Sequence, residues 1–139
     1  MLSAIDTNVI SALWSEEPTA GAMAELLRTA RSQGALTVSA PVYAELHAYP
    51  GATAEFVEKF ISDTGIRVDF DLGDGVWRLA ASTFAEYAER RRRSGGGGSK
   101  RLLVDFIVGA HAATEADRLL TLDPDRYRTA FPDLRLEGP

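Results

Sequence analysis

Apolar positions along the chain follow two periods, and the switches between them divide it into short segments. Compact runs at residues 2–5, 35–39, 65–70 and 118–122 have the length and residue types of β-strands. Between them, apolar residues recur every three or four positions, as on a buried helix face. Val9, Ile10 and Leu13 mark a first helix, with Thr7 and Asn8 as candidate N-caps. Met23, Leu26, Leu27 and Ala30 mark a second, ending near Gly34. Pro41 suits the first turn of a third, carried by Val42, Leu46 and Tyr49 and stopped by Pro50-Gly51. Phe56, Val57, Phe60 and Ile61 give the next, and residues 76–88 repeat over the longest helix, which runs into Arg90–Arg93. Leu103, Phe106, Ile107 and Ala110 predict the core stripe of another, and Tyr127, Ala130 and Phe131 a short one. The third strand is the least hydrophobic and so belongs near an edge, and Leu134–Leu136 adds a final edge strand.

Strands alternating with helices predict an α/β fold, a twisted parallel sheet of four to five short strands flanked by helices. In such a sheet the C-terminal ends of the strands share one rim, where ligands bind. Asp6 and Asp123 each follow a strand, Glu45 sits just inside the helix after another, and Asp105 lies near a helix start. Asp125 also follows the fourth strand and is an alternative to Asp123. At roughly 4–5 Å and an effective dielectric near 20, each like-charged pair costs on the order of 3–4 kcal/mol. Raised pKa values or a bound divalent cation would relieve that repulsion. Asp105, Gly109 and Ala112 share a helix face, which predicts open space beside the Asp105 carboxylate. Asp6 taken alone also reads as a helix cap, Glu45 as a solvated helix residue, and Asp105 as an acid favoured by the helix dipole.

Composition narrows the chemistry. The 139 residues suit one domain with a real core and contain no cysteine, which excludes disulfides, thiolate metal sites and cysteine nucleophiles. With two histidines, a histidine-built zinc site is not expected. His111 is read as structural, and Trp14, Trp77 and Tyr87 as core or dimer-surface aromatics. An oxygen-only ligand set favours Mg²⁺, with Mn²⁺ as a substitute. Asp6 interrupts the apolar start and no basic segment precedes it, so a cytoplasmic protein with no membrane span is expected.

The net charge of −5 hides an asymmetry. Arg90, Arg91, Arg92, Arg93, Lys100 and Arg101 lie within residues 90–101 without an acid, so this segment carries +6 and the remainder −11. It is read as a grip on a nucleic acid backbone, or as a solvated helix end. The intervening Ser94–Ser99 run, with four consecutive glycines, has the composition of an engineered linker, or of a natural loop whose backbone lies close to a ligand.

Four acids with Mg²⁺ and a basic segment predict a metal-dependent nuclease, in which the ion activates water and neutralises phosphodiester charge. Two rivals stand beside it. Asp6 could be a phospho-accepting nucleophile of an aspartyl-phosphate or receiver-like domain, or the acidic groove could hold a basic peptide in a non-catalytic nucleic-acid-binding module.

Asp6-Thr7-Asn8, Tyr43–Leu46, Leu103–Ala112 and Leu119–Asp123, continuing through Tyr127 and Phe131–Leu134, resemble a PIN-domain protein, and more narrowly a VapC-type toxin of a bacterial toxin–antitoxin pair. The likeness runs in order along nearly the whole chain and implies one PIN-like nuclease domain over 1–139. It implies an Mg²⁺-dependent endoribonuclease with Asp6, Glu45, Asp105 and Asp123 as the acidic quartet. Thr7 or Asn8 is expected to orient Asp6 from behind. It further implies RNA as substrate, a homodimer, and inhibition by a cognate VapB-like antitoxin. The tetraglycine run is longer than that pattern requires.

Overall fold

The computed structural model describes residues 1–97 and 100–139; Gly98 and Ser99, the end of the predicted linker-like run, lie outside the described residues. The strands are β1 (Leu2–Ile5), β2 (Ala35–Ser39), β3 (Arg67–Asp69), β4 (Arg118–Leu120) and β5 (Leu136–Glu137). The helices are α1 (Thr7–Trp14), α2 (Thr19–Gln33), α3 (Ala40–Leu46), α4 (Ala54–Thr64), α5 (Gly73–Arg93), α6 (Leu103–Glu115) and the short α7 (Asp125–Arg128). The five strands form one parallel sheet in the order β3-β2-β1-β4-β5, flanked by helices. The weakly hydrophobic third strand and the last strand are its edges, as the hydrophobic pattern predicts.

That order fixes the position of the functional rim. From β1 the chain steps outward to β2 and β3, then returns to lay β4 on the other side of β1. The connections therefore diverge between β1 and β4, and such a switch point leaves a crevice at the strands' C-terminal ends. The Asp6 N–H donates to the Leu120 carbonyl at 2.9 Å, extending the β1–β4 ladder to the edge of that crevice.

The core joins both sides of the sheet. Val9 and Ile10 of α1, Val42 and Leu46 of α3, Val38 of β2, and Leu119 and Leu120 of β4 are fully buried. Gly65 ends α4 in the left-handed conformation (φ 69°), a common helix stop. Trp14 is partly buried against the core, packed edge-on against Tyr49, Phe56 and Phe60. Tyr87 is half-buried beside Phe84 and Phe106, whereas Trp77 is exposed.

Several local expectations are corrected. Helix α1 begins at Thr7, so Asp6, and neither Thr7 nor Asn8, stands at the N-cap. Helix α6 is buried on all sides from Phe106 to Ala112, and Leu103, expected in its core stripe, is exposed. The space beside Gly109 is not open, because a methyl group there would overlap the Phe131 ring. Gly109 serves close packing of α6 against the C-terminal segment.

Candidate metal and nucleic-acid site

Asp6 anchors the site. It leaves β1 at the switch point and is 4% exposed. It occupies the N-cap position of α1, but its side chain makes no capping hydrogen bond there. Instead its Oδ2 accepts two hydroxyl protons, from Thr121 at 2.9 Å and from Tyr127 at 2.8 Å. Burial pushes the Asp6 pKa above the ordinary carboxylate value, against those two hydrogen bonds and the nearby Arg126 charge. Burial, followed by the Asp6 charge, drives the Tyr127 phenol far upward, so it stays protonated and donates.

Asp6, Glu45 and Asp105 line one cleft of about 260 Å³, together with Thr7, Asn8 and Tyr127 among others. Glu45 reaches it from α3, where Pro41 sets the first turn, and its Oε1 accepts the Thr7 hydroxyl proton at 2.6 Å. Asp105 lies in the first turn of α6, its Oδ2 accepting the Leu102 N–H at 3.0 Å. Asp123 is joined to this group through Arg126, whose Nη2 lies 3.1 Å from Asp123 Oδ2 and whose Nη1 lies 3.7 Å from Asp105 Oδ1. Burial opposes the Arg126 charge, but Asp105, Asp123 and Asp6 outweigh it and raise the pKa. Neither Asp123 nor Asp125 lines this cleft; Asp125 is exposed, pairs with Arg128 and lines the adjoining cleft with Arg126. Among the described residues no three carboxylate or imidazole groups stand together as a ready metal cage.

Thr7 and Asn8 divide their work differently from the expectation. The Thr7 hydroxyl holds Glu45, and Asn8 Oδ1 accepts the Leu122 N–H at 3.1 Å, tying α1 to the segment after β4. The side chains that hold Asp6 are Thr121 and Tyr127; Thr7 touches it through its backbone N–H. Thr121, Tyr127 and Arg126 are the site residues that pattern reading missed. Thr121 is a hydroxyl at the end of a strand, two residues before an acid, and Arg126 and Tyr127 follow that acid by three and four.

The basic segment is not uniform. Arg92 and Arg93 pair with Glu89, and Arg91 lies near the Tyr87 hydroxyl. That hydroxyl also accepts the Arg101 N–H at 2.6 Å, pinning the far side of the loop to α5. Arg90 and Arg101 line a second cleft, of about 270 Å³, shared with Arg126. Arg126 lines both clefts, so the acidic and basic surfaces adjoin there. Lys100 is exposed.

The carboxylates lining the cleft come from separate elements, offer only oxygen and stand too far apart to cage an ion without moving. Such a set fits a hard divalent cation such as Mg²⁺. No helix among the described residues is long and apolar enough to cross a membrane.

Known structures share this architecture. A chain of VapBC2 from Rickettsia felis, solved with a promoter DNA fragment, superposes with a TM-score of 0.69 at 17% identity over 99% of this chain and 98% of that one. VapBC-1 from nontypeable Haemophilus influenzae gives 0.67 at 20% identity, over 99% and 98%. FitAB bound to an IR36 DNA fragment gives 0.66 at 21% identity, over 100% and 95%. No curated protein sequence matches significantly. At these identities the superpositions establish the fold. The PIN domain family model matches residues 4–132, and with that match the chain belongs to the PIN domain family, a family of nucleases.

Proposed function

We propose that this chain is a divalent-metal-dependent endoribonuclease and the toxin of a VapBC-type toxin–antitoxin pair, with residues 1–139 acting as a single PIN nuclease domain. The observation that carries the reading is the convergence of Asp6, Glu45 and Asp105 in one cleft at the β1–β4 switch point. Asp6, Glu45 and Asp105, with Asp123 as fourth acid, would hold Mg²⁺ (or Mn²⁺), which supplies water activation and charge neutralisation at a phosphodiester. Thr121 and Tyr127 keep the Asp6 carboxylate oriented and dry. Thr7 steadies Glu45. Arg90 and Arg101, in the adjoining cleft, would take the RNA backbone beyond the scissile phosphate, with Arg91, Arg92, Arg93 and Lys100 adding charge around it. The superpositions on chains of VapBC and FitAB complexes support a VapB-like antitoxin as partner, and we extend the reading to a homodimer acting in the cytoplasm.

Incubation of the purified protein with RNA tests it. Cleavage should require Mg²⁺ or Mn²⁺, stop with EDTA and with Asp6→Asn, and be suppressed by the co-expressed antitoxin. RNA binding that ignores EDTA and is never followed by cleavage would favour a binding module. A beryllofluoride adduct on Asp6, without cleavage, would favour phosphotransfer.

A further inference from the structure

Arg126 spans two carboxylates, Asp105 in α6 and Asp123 in the segment after β4. Both contacts are ion pairs, 3.1 Å to Asp123 and 3.7 Å to Asp105, and of the two acids it is Asp105 whose charge acts more strongly on the guanidinium. On Asp105 the Oδ2 atom is already taken by the Leu102 N–H. Oδ1 takes no part in that bond and faces Arg126, which makes it the more open oxygen for a cation.

We propose that Arg126 is an internal counter-ion, a positioning residue that a divalent cation displaces from Asp105. This rests on the metal-dependent reading above. A guanidinium at this point neutralises converging acids when no metal is bound. A divalent cation on the same carboxylates would feel its repulsion at close range, so the two compete for Asp105 Oδ1. The side chain is 34% exposed, so its contact with Asp105 can release without opening the core. Arg126 thus sets the cation concentration at which the site loads.

Calorimetric titration of Mn²⁺ into the full chain tests this, alongside thermal unfolding without metal. Arg126→Gln should bind Mn²⁺ roughly tenfold tighter than wild type and melt at a lower temperature when metal-free, with Arg126→Lys between the two. Arg128→Gln removes the same charge from a pair with Asp125 outside the cleft, and should leave the affinity within about twofold. Arg126→Gln affinity equal to wild type, weaker, or matched by Arg128→Gln would overturn the inference while leaving metal dependence intact. Absence of Mn²⁺ binding in every variant would overturn both. Should Arg126→Gln fail to fold, Arg126→Lys against Arg128→Gln decides in the same way.

Discussion

The Tyr127 hydroxyl donates to Asp6 Oδ2 at 2.8 Å, joining the short helix after β4 to the first strand's end across 121 positions of chain. The contact satisfies a buried carboxylate and closes one wall of the acidic cleft.

Tyr127→Phe keeps the ring and removes that donor. Leaving a buried carboxylate short of a hydrogen bond costs about 1–3 kcal/mol. The loss should be larger at pH 7, where Asp6 is charged, than at pH 3.5, where it is mostly protonated. Urea denaturation at the two pH values checks this, and an equal loss at both would mean that the hydroxyl does not act through the charge.

Asp6→Asn separates stability from activity. The folded-state pKa of Asp6 is raised, so the folded protein holds its proton to higher pH than the unfolded chain does. Ionisation of Asp6 therefore costs stability as pH rises past the ordinary carboxylate value. Asn carries no charge, so the metal-free variant should melt above wild type at pH 7, with the gain vanishing below pH about 3.8. Wild type should regain the difference in Mg²⁺, by about 2.7 kcal/mol at a hundredfold excess over Kd. Differential scanning calorimetry with and without Mg²⁺ gives both comparisons, and a variant that melts lower at pH 7 would contradict the argument.

His111 supplies a second pH dependence away from the acids. It is 1% exposed, and its Nε2 lies 3.2 Å from Asp69 Oδ2. Burial holds its pKa below the usual 6.5, and the Asp69 charge only partly opposes this. Below that value the unfolded chain takes up a proton that the folded one resists. Stability is thus fully present above pH 6.5 and falls toward pH 5, by up to about 1.4 kcal/mol per pH unit. In His111→Gln that slope should flatten when denaturation midpoints are followed from pH 7.5 to 5.

Gly109→Ala tests the packing of α6. A Cβ there overlaps the Phe131 ring, so the substitution should cost about 1–3 kcal/mol. Adding Phe131→Leu to Gly109→Ala should cost less than the sum of the two single changes. Strict additivity in a double-mutant cycle would show that the ring is not what the methyl meets.

Much of the fold was legible in the chain because burial imposes its period on the sequence. The strand and helix alternation and the acids after strand ends follow from residues 2–5, 35–39 and 118–122 being short and apolar, and the weak third strand from the more polar run at 65–70. Parallel strands then deliver Asp6, Glu45 and the residues after β4 to one rim, whatever their order in the sheet. Periodicity records only that a residue is covered, however, and carries no information on what covers it. The return of β4 to the far side of β1, the paired hydroxyls of Thr121 and Tyr127 on Asp6, the Phe131 ring against Gly109 and the Arg126 fork between Asp105 and Asp123 are contacts between segments distant in sequence or turned by a local helix. Those were decided by tertiary packing, because a buried carboxylate must find its donors wherever the folded chain brings them.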